Sequence, residues 1–201
     1  MSSPLIASYP QQLTQRFRRM ILSGKFQPGE RLREIPLAEE FGVSRGPIRD
    51  TFLQLTREGL LVAKPNAGVR VADPPSPFKR KSLVTLRRRL ECDCLKEADL
   101  SDAGKLLKQL EANLEQYRFA CEQEDLEAVV EIDMAFHHIL VESADMGSML
   151  TVWIPVISQI FLKYSRHQSL MESYHEHEAI VDALRDQDIT RAAQLLREHI
   201  V

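Results

Sequence analysis

Two groups of residues in this 201-residue chain have the types and spacing to do chemistry. The first is cationic. In the stretch LAEEFGVSRGPIRDTFLQLTREGLL, residues 37–61, a helical segment opens with Ser44, Arg45 and Arg49 where burial would call for apolar side chains. Arg45 and Arg49 stand four apart, so they share a helical face and can reach one partner together. The free N–H groups and positive dipole end of a helix N-terminus attract phosphate, and a guanidinium pairs in bidentate fashion with phosphate or guanine. Ser44 is placed both to cap this helix and to touch phosphate, Gly46 lets a backbone approach closely, and Pro47 is tolerated in the first turn. The chemistry expected is recognition of double-stranded DNA by a helix end set in the major groove.

The second group is of ligand type. In EIDMAFHHIL, Asp133 and His137 are four apart and project from one helix face, close enough to share an ion. His177 precedes an apolar stripe of Ile180, Val181 and Leu184, and His199 follows another, so each candidate adjoins residues that must face a core. Neutral imidazole is the commonest transition-metal ligand, and three histidines with one carboxylate leave positions open for water or a small acid. Spacing alone does not bring three separate helices together, and a lone histidine is commonly a surface or partly buried side chain. The three cysteines, Cys92, Cys94 and Cys121, are odd in number and lack zinc-finger spacing; they read as reduced thiols without assigned chemistry.

The elements that must position these residues fall into two parts. The net charge of -3 hides an asymmetry, since residues 1–75 hold 11 Lys and Arg against 7 Asp and Glu, while the remainder is acidic. A basic head on an acidic body fits a polyanion partner for the head. In VADPPSPFKRK, residues 71–81, three prolines fall within four residues and favour an extended path, so a linker is placed at about 73–78 between a domain at 1–75 and another at 79–201. Apolar spacing at Leu13, Phe17, Met20 and Ile21 predicts a first helix, with Pro10 near its start and Gly24 as its stop. FQPGERL reads as a turn, IPLAEEFG as a short helix ended by Gly42, and the Ser44-capped helix runs through Ile48, Phe52 and Leu55 to Gly59. Two β-prone pieces at 60–63 and 69–71, around Pro65, Asn66 and Gly68, form a hairpin, which makes the head a winged helix-turn-helix. Lys64, Asn66, Gly68 and Arg70 on that wing could reach an adjacent groove or the DNA backbone.

From Ser76 onward the pattern is almost entirely helical. Breaks near Ser101, 123–125, 146–148, Ser173 and 186–188 divide it into an all-α bundle of about six helices, with core stripes at Leu106, Leu110 and Leu114 and at Ile154, Ile157, Ile160 and Phe161. No apolar run approaches the roughly 20 residues that span a bilayer, and the start lacks a signal-peptide layout, so a cytoplasmic protein without a membrane partner is expected.

The run PGERLREIPLAEEFGVSRGPIRDTFLQLTREGLL, closing with NAGVRVAD, resembles the DNA-binding domain of GntR-type bacterial transcription regulators over about residues 24–73. The resemblance implies that Arg45 and Arg49 are the chief DNA contacts, with Ser44, Gly46 and Pro47 at the phosphate and base edge and Gly68 at the wing tip. Thr51 and Phe52 stand where the family usually has Ala and Leu, and Ile35 where some members have an arginine that touches DNA. RRRLE, DMAFHHIL, EHEAIVDALRDQD and AAQLLREHI are similar to the FCD effector domain of the FadR-type subfamily over about residues 83–201. That similarity implies a divalent transition metal on Asp133, His137, His177 and His199, zinc foremost with nickel or manganese as alternatives, and a small organic acid effector partnered by Arg87. His138, His167 and His175 match no ligand position. SADMGSM replaces the Ser-Gly-Asn that often follows the metal helix, and His199 lies two residues from the end of the chain, where fraying would hold a ligand less firmly.

The reading is a ligand-responsive transcription regulator, a homodimer that binds a pseudo-palindromic operator as a repressor and carries no enzymatic activity. Two alternatives stay open at this point: a helical body that only dimerises and binds no metal, and a metal-dependent hydrolase. Against the hydrolase, no general base pairs with the site at a recognisable spacing, and the head would be unexplained.

Overall fold

The computed structural model describes residues 9–64, 68–98, 103–144, 149–162 and 169–201. The head comprises helices α1 (Tyr9–Leu22), α2 (Glu34–Phe41) and α3 (Arg45–Arg57) with strands β1 (Arg31–Leu32), β2 (Leu61–Lys64) and β3 (Gly68–Val71). Its core is aromatic. Phe17 of α1, fully buried, stacks on Phe41 at 4.8 Å and meets Phe52 of α3 edge-on at 6.0 Å. The turn between α2 and α3 depends on Gly42, whose φ of 65° is left-handed and whose N–H closes α2 on the Ala38 and Glu39 carbonyls. That turn sets the angle at which α3 leaves α2.

The wing is larger than a hairpin. β3 lies between β1 and β2 in an antiparallel sheet, with Leu61 opposite Val71, Lys64 opposite Gly68, and Arg31 opposite Arg70. The stretch expected as a plain turn therefore supplies a third, two-residue strand, which pairs across about forty positions of sequence. Asn66 lies outside the described residues.

The body holds six helices among the described residues: α4 (Pro77–Glu97), α5 (Ala103–Glu122), α6 (Leu126–Glu142), α7 (Met149–Phe161), α8 (Leu170–Arg185) and α9 (Ile189–His199). α4 begins inside the stretch assigned to the linker. Ser76 caps it by accepting from the Lys79 N–H, and Pro77 fills the first position, where a missing N–H costs nothing. Asp125 and Asp188 cap α6 and α9 in the same way, at the two breaks expected near 123–125 and 186–188. The breaks expected at Ser101 and at 146–148 lie outside the described residues. Ser173 does not break a helix. It sits within α8, fully buried, with its hydroxyl 2.8 Å from the Tyr117 hydroxyl of α5, so the polar side chain is satisfied across the bundle.

The chain end beyond α9 is held rather than frayed. Ile200 is fully buried, its carbonyl accepts from Arg88 Nε at 2.6 Å, and the Val201 carbonyl accepts from Arg80 at 3.1 Å. Head and body also touch. Arg19 of α1 pairs with Glu131 of α6, and a groove of about 1400 Å³ runs between α1 and α3 on one side and α6 and α7 on the other.

Removal of the Phe17 ring should cost about 3–5 kcal/mol, the usual range for a buried phenylalanine. Urea unfolding of Phe17→Ala followed by circular dichroism should show a lowered midpoint; an unchanged midpoint would contradict the assigned core.

Candidate nucleic-acid interface and metal centre

At the tip of α3 the residues singled out in sequence share one exposed surface. Ser44, Arg45, Gly46 and Arg49 are all exposed, with Pro47 half-buried behind them. Ser44 occupies the N-cap position in extended conformation but makes no side-chain capping hydrogen bond, contrary to the expected double role. Glu34 of α2 reaches both arginines, 3.1 Å from Arg45 and 3.3 Å from Arg49. The hydrogen bond from Arg49, then that from Arg45, lowers the Glu34 carboxyl below its ordinary value. An exposed pair of this kind adds little to stability, but it orients two long side chains.

On the wing, Lys64 and Gly68 are exposed, and Gly68 adopts a left-handed φ of 75°. Arg70, half-buried, donates from Nη1 to the Gly29 carbonyl at 2.9 Å and so also braces the turn before β1. Arg31, which sequence reading passed over, lies beside it: its Nε is 3.4 Å from where a side chain on Gly68 would begin. It was missed because a charged residue in a Pro-Gly turn reads as a solvated loop.

Within the body, α6, α8 and α9 bring Asp133, His137, His177 and His199 together. All four are buried, and one donor atom from each lies within 4.8 Å of the others. Donors bonded to one ion at about 2.0–2.2 Å can be no more than about 4.4 Å apart, so the cluster needs only slight contraction to close on a metal. The ring nitrogens facing away from the cluster are each engaged. His137 Nδ1 is 2.7 Å from Glu91, His199 Nδ1 is 2.7 Å from Glu176, and His177 Nδ1 is 2.7 Å from the Ser173 carbonyl. Because ionised carboxylates and a carbonyl only accept, these Nδ1 atoms carry protons, and three Nε2 lone pairs point inward. His137 Nε2 and His199 Nε2 are 3.1 Å apart, and His177 Nε2 has no hydrogen-bond partner, its nearest carboxylate oxygen lying 3.6 Å away. Lone pairs opposed at that distance repel unless a proton or a cation lies between them. The donor set therefore fits a transition metal.

The electrostatics agree. Burial lowers the His177 imidazole below its ordinary value and favours the neutral form that ligates. Burial pushes Asp133 upward, yet its contacts with His137 and His177 hold it well below the usual carboxylate range. Arg87, also buried, donates through Nε to Glu91 at 2.7 Å and lies 5.6 Å from the centre of the Phe161 ring, while its Nη2 is buried without a hydrogen-bond partner. His138, half-buried, and His175, exposed, stand outside the cluster, and His167 lies outside the described residues. Sequence reading missed Glu91, Glu176, Ser173 and Trp153, although the RRRLE motif contained the first of them.

A winged helix-turn-helix joined to a six-helix body with a buried Asp-His₃ cluster defines a class of two-domain regulator. The profile described as "Bacterial regulatory proteins, gntR family" matches residues 10–71, and that described as "FCD domain" matches residues 82–201. The chain belongs to the gntR family of bacterial regulatory proteins, in the branch that carries an FCD domain. It is 33% identical over 135 residues to the HTH-type transcriptional repressor RspR of Escherichia coli K12, a match covering 67% of this chain and 59% of that protein. The match thus spans less than two thirds of that relative's length. Similarity to the HTH-type transcriptional regulator YdhC of Bacillus subtilis 168 is 28% and covers 95% of this chain and 87% of that one. The solved structure of E. coli McbR/YncC shares the fold, with a TM-score of 0.77 at 20% identity over 97% of this chain and 94% of that one.

The thiols take no part in the cluster. All three are buried; burial raises Cys92 and Cys94 and pushes Cys121 up to about 11. At neutral pH a thiol with such a value is thiolate only to about one part in ten thousand. The native protein should react far more slowly with a thiol-specific chromogenic disulfide than the urea-unfolded protein, and prompt native titration of three thiols would contradict the burial.

Proposed function

We propose that this protein is a ligand-responsive, DNA-binding transcription regulator that represses genes by occupying a pseudo-palindromic operator in the cytoplasm. The observation that carries the reading is the exposed N-terminal end of α3, where Arg45 and Arg49 project together from one helix face. Phosphate contacts from Lys64, Arg31 and the first turn of α3 would fix the register, and the two arginines would read base edges. A repressor role follows the RspR relative. No helix among the described residues is long and apolar enough to cross a membrane.

In the body, Asp133, His137, His177 and His199 would hold a divalent transition metal, zinc foremost with nickel or manganese as alternatives. When bound, that metal supplies a Lewis-acidic centre with open positions for an oxygen ligand. Arg87 offers a buried guanidinium N–H to a carboxylate, so a small organic acid is the effector class proposed. The reading contains no catalytic step. Dimerisation through the body is supported by α4, where Phe78, 82% exposed, and Leu86, 46% exposed, lie eight residues apart on one face. By linkage, an effector that favours the DNA-incompetent arrangement must bind the DNA-bound dimer more weakly.

Two experiments test the halves separately. Footprinting of the native protein on the region upstream of its own gene should show protection that Arg45→Ala abolishes without changing the circular dichroism, and affinity should fall steeply between low and moderate salt. Wild-type protection by the variant would remove α3 from the interface. Elemental analysis of protein purified without chelator or nickel resin should give about one metal per chain, lost in His177→Ala. Equal metal content in both would refute the ligand set.

A further inference from the structure

Glu91 stands outside the donor set but controls one of its members. On α4 and fully buried, it places Oε2 2.7 Å from His137 Nδ1, and Oε1 2.7 Å from both Arg87 Nε and Trp153 Nε1. An indole N–H and a guanidinium N–H only donate, so Oε1 is committed as an acceptor. The Arg87 guanidinium set against Oε1 pairs with a carboxylate rather than with a carboxylic acid. The ionised group leaves Oε2 as an acceptor as well, and His137 can meet it only with a proton on Nδ1. The neutral ring then keeps its Nε2 lone pair for the centre. The other neutral tautomer would point an N–H at Asp133 Oδ1, 3.3 Å away, and could not ligate.

We infer that Glu91 is a positioning residue that selects the metal-binding tautomer of His137 and, through the same carboxylate, fixes Arg87 beside the centre. The inference rests on reading Asp133, His137, His177 and His199 as a metal site. It differs from a simple charge-balancing role for Glu91, which would set the stability of Arg87 but leave the His137 proton unassigned. The distinction is visible in Glu91→Gln, which keeps size and shape. There the amide oxygen must accept from Arg87 and Trp153, so the NH₂ group faces His137 Nδ1. The ring must accept at that atom, and its one proton moves to Nε2, into the cluster.

The test is ¹⁵N NMR of the histidine rings in the metal-free full-length protein, beside zinc affinity measured by chelator competition. In the neutral His137 ring the proton should sit on Nδ1 in the wild type, and on Nε2 in Glu91→Gln. Zinc affinity should fall on the order of 10–100-fold in the variant, the usual effect of losing such an outer partner. Trp153, the chain's one tryptophan, bonds the same oxygen and gives an emission signal for the zinc titration. A wild-type ring that keeps its last proton on Nε2 overturns the inference even should the variant not fold. A folded variant with wild-type tautomer and affinity also overturns it. If wild-type protein binds no zinc, the metal reading fails, while the tautomer comparison still decides the role of Glu91.

Discussion

The structure depends on keeping charge in a place without water. Asp133 and Glu91 are both fully buried in a low-dielectric interior, and an isolated carboxylate there would be protonated or would force the helices apart. Neither happens, because each is met by donors from its own helix and from others: Glu91 by Arg87 of α4, His137 of α6 and Trp153 of α7, and Asp133 by His137 of α6 and His177 of α8. The bundle is therefore assembled around its polar centre as much as around its leucines. Such a centre is costly to half-build. Removing one partner leaves a buried charge uncompensated, which is worse than an apolar core of equal volume.

The head was largely legible in sequence because its signals are local. Gly42 marks a left-handed turn, Phe17 and Ile21 repeat at helical spacing, and both can be read without knowing what lies across the fold. β1 was not legible, since Arg31 and Leu32 become a strand only by pairing with Arg70 and Val69. The bond from Arg70 to the Gly29 carbonyl was hidden for a related reason: it joins parts of the chain that no local pattern connects. Ser173 looked like a helix break because a serine in a helical run is usually solvated, whereas here its partner Tyr117 lies 56 positions away.

In the body, Asp133 and His137 could be paired from spacing, but their meeting with His177 and His199 depends on how α8 and α9 pack, which spacing does not encode. Family resemblance supplied that convergence, and the geometry brings the same four residues together. The outer partners were hidden more deeply. Glu91 sits among Arg87, Arg88, Arg89 and Asp93, a run that reads as a solvated face; only the packed bundle shows that Arg87 and Glu91 point inward while Arg89 does not.

Helix α6 has two occupations. One face carries Asp133 and His137 into the polar centre, and another lines the groove beneath the head, with Glu131 paired to Arg19 and His138 beside Trp153. The inward face is buried away from bulk solvent, but the Arg19–Glu131 tie is more than a third exposed on both sides. Its attraction is weakened by dissolved salt, while the centre's is not. The two faces of a single helix thus answer to different conditions, and of the two it is the contact with the head that added salt would loosen.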